Sequence, residues 1–208
     1  MTLDMHDYAT LAPLLEPFGA LRSQPASDWS GAPLPAELAQ FYAQVGPWGE
    51  TYHQAVGPVG ITLSVGGNPV CIPPLHKLAN LQAGYAWSRN PANPLPGWGP
   101  DWLVIAEQGG DPFIFDRASG HILFAFHGTG SWDPVFFAPD LRQGIGALAT
   151  VANAFCTLDE DSDCDDDGLK PSERRARAGG RDAGGVGVLP VVRSIAHTAP
   201  PLARRLRK

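Results

Sequence analysis

The chain has 208 residues, of which 44% are hydrophobic and 17% charged, and it carries 24 glycines and 21 prolines. This composition predicts a globular protein with one well-buried core and many loops and short elements. The longest apolar runs, such as WLVIA, are far too short to cross a membrane, so the sequence excludes a membrane-spanning class.

Charge is distributed unevenly along the chain, whose formal net charge is −6. Residues 1–155 hold twelve acidic and five basic side chains, residues 159–167 hold seven acids, and residues 168–208 hold ten basic groups and two acids. An acidic body favours encounter with a basic partner without specifying which one. Three widely spaced cysteines and an N-terminus without a basic, apolar leader predict a cytoplasmic chain with reduced thiols.

The first predicted elements are helical. Apolar residues recur at helical spacing over residues 11–21, where Pro17 should kink or end the helix. The clearest helix is PAELAQFYAQV, residues 35–45, with Pro35 in its first turn and Gly46 as its stop. One face of this helix is apolar and consists of Leu38, Phe41, Tyr42 and Val45.

The period then changes to that of strands. Apolar residues alternate from Val59 to Val65, a turn follows at residues 66–68, and residues 70–72 return. Pro74 opens a predicted helix that directs Leu75, Leu78 and Leu81 inward, and the proline-rich residues 88–100 predict a loop.

The centre of the chain predicts a buried strand, WLVIA at 102–106, followed by a hairpin. Phe113 and Phe115 share one face of its first strand, while Asp116 can cap the turn and Gly120 tolerates positive φ. The return strand is predicted to direct Ile122, Phe124 and Phe126 to one face. The hairpin is therefore interpreted as core.

A short strand at 134–138 and a helix from about Asp140 to Phe155 complete the body. Together the elements predict an α+β domain, residues 1–156, with a mainly antiparallel sheet of short strands flanked by N-terminal, middle and C-terminal helices. Residues 157–208, acidic and then basic, predict a mostly disordered tail with VLPVVRSIAH, residues 188–197, as its only apolar patch.

The sequence contains no recognisable catalytic motif. It lacks GxSxG, GxxxxGKS, GxGxxG and HExxH. His121 and His127 share strand parity but lie about 20 Å apart in extended chain, too far for one metal. Asp111 and Asp116 are expected to cap turns.

Two features of the tail suggest ligands only weakly. DSDCDDDG matches the start of a calcium loop, but Arg174 stands where a bidentate Glu belongs. The stretches RRARAGGR and ARRLRK would attract phosphate, yet they carry no aromatic residues and the body is acidic, which disfavours nucleic-acid binding. We therefore expect no metal, no cofactor and no enzyme activity.

Three segments carry a resemblance to a known family: LPAELAQFYAQVGPWGE (34–50), DWLVIAEQGGDPFIFDRASGHILFAFHG (101–128) and SWDPVFFAPDLRQGIGAL (131–148). Over roughly residues 8–156 the chain resembles the SUKH superfamily of the SMI/KNR type. The central segment is the specific part. VGPWGE departs from the family pattern, in which Asn-Gly is common, and the family does not account for the tail.

The resemblance implies an α+β fold without catalytic residues. Bacterial members mostly act as cytosolic immunity proteins that neutralise toxins delivered between cells, prominently nucleases, and fungal relatives are regulatory interaction proteins. We therefore expect a non-catalytic immunity protein, active in bacterial competition, that binds a basic protein toxin. A regulatory or scaffold protein of the same fold, and an enzyme without a recognisable motif, are the alternatives.

Three tryptophans in loops rich in glycine and proline are candidate partner-binding residues. Each has an acid within three residues, and the pairs are Trp48 with Glu50, Trp98 with Asp101, and Trp132 with Asp133. Loops on a rigid sheet often carry binding residues, and exposed tryptophan makes a strong interface anchor. The alternative is that these rings fold back as lids over the core.

Overall fold

Six antiparallel strands form one sheet in which every strand pairs with its neighbour in sequence. The structure is a computed structural model that describes residues 7–31, 33–88, 91 and 93–162. The strands are β1 (Ile61–Leu63), β2 (Val70–Ile72), β3 (Trp102–Gln108), β4 (Asp111–Asp116), β5 (Ile122–Phe124) and β6 (Val135–Ala138). The helices are α1 (Ala12–Leu15), α2 (Ala36–Gln44), α3 (Leu75–Leu81) and α4 (Leu141–Ser162). This architecture confirms the predicted α+β class.

The predicted hairpin forms the centre of the sheet. Phe113 pairs with Phe124, and Phe115 with Ile122, across β4 and β5. Asp116 closes the turn by accepting hydrogen bonds from the Ala118 amide (3.1 Å) and the Ser119 hydroxyl (2.6 Å). Gly120 completes it at φ 75°, a conformation that residues with a side chain rarely adopt.

The main core lies between one face of this sheet and the helices. Phe115 is 2% exposed and belongs to the same buried cluster as Phe113, Ile122 and Phe124. The predicted apolar face of α2 joins that cluster, as do Leu75 and Leu78 of α3. Helix α4 contributes Leu141, Ile145 and Leu148. Leu11 and Leu15 of the N-terminal segment also pack into this core. The prediction that the hairpin belongs to the core is confirmed.

Two buried glutamines connect elements that the apolar core alone would not fix. The Gln24 amide donates to the Pro47 carbonyl (2.9 Å) and its oxygen accepts from the Leu75 amide (2.7 Å) at the start of α3. Gln82, just after α3, bonds both the amide and the carbonyl of Val104 (2.9 and 2.8 Å). Strand β2 pairs with β3 only at Glu107 and Gln108. At Val104, where β2 no longer runs alongside, Gln82 takes its place as the hydrogen-bond partner of the β3 backbone.

Several predicted details are wrong. Phe126 is 52% exposed because β5 ends at Phe124, so it does not share the core face. Val59 lies outside β1 and is 37% exposed. Pro35 precedes α2 as its N-cap instead of occupying its first turn. The N-terminal segment is a four-residue α-helix between two 3₁₀ turns, because Pro13 and Pro17 interrupt longer helical bonding.

The closing helix is longer than predicted. α4 continues to Ser162, so the predicted domain boundary at residue 156 falls inside it, and the first six residues of the predicted tail are helical. The rest of that tail, with the calcium-like motif, the basic stretches and residues 188–197, lies outside the described residues. Among the helices that are described, none is both long and apolar enough to span a membrane.

Candidate partner-binding surface

The sheet is covered on its second face as well as on its core face. Val104 and Ile114 pair across β3 and β4, are both 0% exposed, and lie outside the main core cluster. Since successive side chains of a strand point to opposite faces, Trp102 shares this second face with Val104. The second face must therefore be buried by segments outside the helical layer.

Four aromatic rings meet here, which we call the aromatic cluster: Tyr85, Trp98, Trp102 and Trp132. The Trp98 ring lies 5.8 Å from Tyr85, 5.5 Å from Trp102 and 5.4 Å from Trp132, measured between centroids. The Tyr85 and Trp132 rings are 5.6 Å apart. Such separations are those of directly packed rings, with edge-to-face geometry for Trp98 on both other indoles. All three tryptophans remain partly exposed, whereas Tyr85 is buried.

Backbone contacts hold the loop that carries this cluster. The Gly84 amide donates to the Trp87 carbonyl (2.7 Å), and the Leu95 amide donates to the Ala86 carbonyl (3.0 Å), so the chain turns back on itself around Tyr85. The Trp98 indole N–H then donates to the Trp102 carbonyl (3.2 Å). These bonds fix the positions of the rings relative to one another.

Tyr85 links the cluster to the acidic end of β3. Its hydroxyl lies within hydrogen-bonding distance of Glu107 Oε2 (3.0 Å) and of the Gly110 carbonyl oxygen (3.1 Å). Burial raises the pKa of this hydroxyl well above its usual range, and the hydrogen bond and negative charge of Glu107 raise it further. Tyr85 is therefore a neutral donor at physiological pH, and Glu107 is oriented by it.

Asp101 and Asp133 are both exposed, next to Trp102 and Trp132 in sequence. The Asp133 carboxylate accepts from the Ser131 hydroxyl (2.7 Å), whereas the Asp101 backbone carbonyl accepts from the Arg117 amide. Neither carboxylate is in one of the ion pairs found in the described part of the chain, so both present their charge to solvent.

Trp48 and Glu50 form a different environment. The Trp48 ring packs 5.7 Å from His76, and the Arg22 guanidinium lies 4.6 Å from its centroid. One side of this ring is thus already occupied by a cation. Glu50 is exposed beyond it. Of the three predicted tryptophans, the structure brings Trp98 and Trp132 together and leaves Trp48 in a separate contact.

Tyr85 and Trp102 are not among the predicted partner-binding residues. Trp102 begins the buried run WLVIA, and its parity relative to Leu103 placed it on the opposite face from the core. Tyr85 had no local signal, because its position depends on how the loop folds. The rings of Trp98 and Trp132 pack against each other and remain partly exposed. Their role in binding a partner stays a prediction.

A histidine–aspartate pair connects the start of β4 to the chain that follows β5. His127 Nδ1 is 2.6 Å from Asp111 Oδ1, and the His127 amide donates to the same oxygen (2.7 Å). Asp111 therefore holds the chain leaving β5 rather than capping a turn. Among the described residues, no group of three or more His, Cys, Asp or Glu side chains could hold a metal ion.

A separate groove of about 470 Å³ lies beside the β4–β5 turn. Leu34, Pro35, Glu37 and Arg117 line it, and none of them belongs to the aromatic cluster. The Arg117 Nε atom is buried and has no hydrogen-bond partner among the residues that the structure describes. Its charged lining residues are Arg117 and Glu37, and Ser119 adds a hydroxyl group.

No family model, curated protein or solved structure matches this chain. The resemblance to the SUKH superfamily therefore stays a prediction, and the function has to be argued from the surface itself.

Proposed function

We propose that the chain is a protein-binding module that acts in the cytoplasm as an immunity protein and neutralises a basic protein toxin. The observation that carries the proposal is the aromatic cluster, in which three partly exposed tryptophans are packed together beside exposed carboxylates. The resemblance to SUKH proteins is consistent with this role.

The cluster has the physical properties of an interface anchor. Tryptophan and tyrosine are enriched among residues that dominate binding energy, because each supplies a large contact area at low entropic cost. Here the rings already restrain one another, and the Trp98 indole N–H is bonded to the Trp102 carbonyl. A partner would not have to order these side chains on binding, which lowers the cost of association.

The charges near the cluster favour a basic partner. Asp101 and Asp133 flank it with exposed carboxylates, and Glu107 and Asp111 lie at the end of β3 and the start of β4 that Tyr85 contacts. Lysine or arginine side chains can pair with these groups, and a cation can also bind the exposed face of an indole. Attraction between the acidic body and a basic toxin would also accelerate their encounter.

The test uses the protein encoded beside this gene. We expect co-expression to restore the growth of cells that produce that neighbour, and purified full-length chain to form a complex with it. Association kinetics are then measured at low and high salt for wild type and for Asp101→Lys with Asp133→Lys. The double reversal should slow association about 10- to 100-fold at low salt and much less at high salt.

A matched control reverses two exposed acids elsewhere, Glu16→Lys with Asp28→Lys, which lie in N-terminal 3₁₀ turns. This control changes the net charge of the chain by the same amount as the reversal beside the aromatic cluster. If the cluster is the interface, the control should slow association less, because its charges lie elsewhere on the surface. Equal effects of the two pairs would remove the aromatic cluster as the interface. A complex that forms without restoring growth would favour the regulatory or scaffold alternative.

A further inference from the structure

A row of apolar side chains crosses the second face of the sheet. Val104 pairs with Ile114, Ile114 with Leu123, and Leu123 with Phe136, so β3, β4, β5 and β6 each contribute one residue. Directly paired residues of antiparallel strands have their side chains on the same face, with Cβ atoms about 5 Å apart. The four side chains therefore form one continuous strip, which we call the apolar row.

The apolar row is buried at one end only. Val104 and Ile114, at the end beside the aromatic cluster, are both 0% exposed, whereas Leu123 is partly buried and Phe136 is 60% exposed. The His121 ring meets the Phe136 ring edge-on at 5.4 Å, and Phe136 nevertheless stays exposed. An exposed aromatic side chain that continues a packed aromatic cluster is typical of an interaction surface.

The charges around the apolar row are negative. The charged residues of the six strands are all acidic: Glu107, Asp111 and Asp116. On the second face, Glu107 pairs with Pro112 and Asp116 with Trp102, so the two acids lie on opposite sides of the row, each about 7 Å from it along the strands. The Asp133 side chain is exposed just before β6. A segment that docks on the row must therefore place basic groups on both sides of an apolar centre.

A second copy of the chain matches this surface poorly. Two copies docked face to face would bring carboxylates against carboxylates, since both copies surround the apolar row with acids, and such like-charge contacts are costly. A basic polypeptide complements the pattern instead. Its lysine or arginine side chains can pair with the acids, while an apolar side chain covers Phe136.

We infer that the second face, from the aromatic cluster to Phe136, is one docking surface, and that its occupant is a segment of the basic toxin with an apolar side chain between basic residues. The inference rests on the proposed function and adds to it the face of the sheet and the kind of segment bound. Charge attraction accelerates the encounter, and the apolar contact with Phe136 then slows dissociation.

Dissociation kinetics of the full-length chain from the protein encoded beside its gene test the inference. Phe136→Thr removes the apolar ring but keeps a residue that favours strands. Because Phe136 is exposed, the variant should melt within a few degrees of wild type. We expect its dissociation rate to rise about 5- to 50-fold at both low and high salt, since salt does not screen an apolar contact. The association rate should change by less than about threefold.

Two control variants remove apolar side chains of similar exposure on the core side of the sheet. Val135→Thr changes the preceding residue of the same strand, which is 57% exposed and pairs with Phe124 of the core face. Phe126→Thr removes the same kind of ring at 52% exposure, and this ring packs 5.1 Å from that of Phe124. Both controls should dissociate from the partner at the wild-type rate.

A dissociation rate that is unchanged in Phe136→Thr, or raised equally in the two controls, would overturn the inference and leave the proposed function intact. A wild-type chain that forms no complex with the neighbouring protein would overturn both. A chain that is dimeric by light scattering without a partner, and monomeric as Phe136→Thr, would assign the face to a second copy and overturn the inference as well.

Discussion

Replacing Gln82 with leucine is expected to destabilise the sheet where the aromatic cluster packs on it. Gln82 is 2% exposed, and its amide group bonds the backbone amide and carbonyl of Val104, as well as the Leu78 carbonyl. Leucine has a similar size but no polar atoms. The substitution therefore leaves the amide and carbonyl of Val104 buried without a partner, in a residue that is itself fully buried.

The magnitude follows from those two groups. A buried backbone donor or acceptor that loses its only partner costs about 1–3 kcal/mol, and the apolar leucine side chain recovers part of this. We expect a net loss of about 2–5 kcal/mol, a large share of the ~5–15 kcal/mol that stabilises a typical domain. The melting temperature should fall by roughly 5–15 °C.

Urea unfolding followed by tryptophan fluorescence measures this loss, because Trp98 and Trp102 lie close to the perturbed strand. The midpoint should move to lower urea while the slope of the transition stays constant. The control is Gln54→Leu at an exposed position, which should change stability by less than about 0.5 kcal/mol. If the Gln82 and Gln54 variants unfold at the same midpoint, Gln82 does not support β3 and our account of the second face is wrong.

A second substitution at this position adds a pH dependence. In Gln82→Glu, the protonated acid can still donate a hydrogen bond, but the carboxylate would face the Val104 carbonyl in a buried site, so the folded state should raise its pKa. Stability should then be nearest to wild type below the unfolded pKa of about 4.3 and should fall as the pH rises towards the folded value. A deficit that stays constant from pH 4 to 8 would contradict the hydrogen-bond assignment.

Two further predictions concern the core and its limits. Phe115→Ala should lower the free energy of unfolding in urea by about 3–5 kcal/mol, because the Phe115 side chain is 2% exposed and its loss leaves a cavity. Phe126 is 52% exposed, so Phe126→Ala should cost less than about 1 kcal/mol. Similar costs for the two variants would contradict the end of β5 at Phe124. Burial raises the pKa of Tyr42, so the free energy of unfolding should decrease with pH above about 10, where this side chain ionises in the unfolded chain. Tyr42→Phe should make that decrease with pH less steep, and it should lose about 1 kcal/mol of stability at neutral pH because the hydrogen bond to the Pro73 carbonyl is removed. An unchanged slope would contradict the burial of this hydroxyl.

Periodicity was sufficient to predict most of the fold. The order of helices and strands, the β4–β5 hairpin with its Asp116 cap, and the apolar faces of α2 and α4 follow from local patterns, because each element buries one face and its sequence records which one. The end of β5 was not predictable in this way. Phe126 continues the alternation of Phe124, but Asp111 binds the next residue, His127, and the chain leaves the sheet.

The length of α4 shows the opposite limitation. Its apolar period ends near Phe155, and the following residues are acidic, which suggested a tail. Helical hydrogen bonds nevertheless continue to Ser162, since neither proline nor glycine interrupts the sequence there. An apolar pattern indicates which part of a helix is buried, and it does not set where an exposed end stops.

Part of the candidate surface is predictable from the sequence. WLVIA is apolar at consecutive positions, which indicates a strand buried on both faces, so a second layer had to cover the side opposite the helices. The helices predicted before and after the sheet were already needed for the core. What remained was the proline-rich loop before β3 and the glycine-rich loop before β6, and these contain Trp98 and Trp132. Two loops that must meet over one strand bring their aromatic rings together. The side chains that cover β3 and those of the proposed interface are therefore the same set.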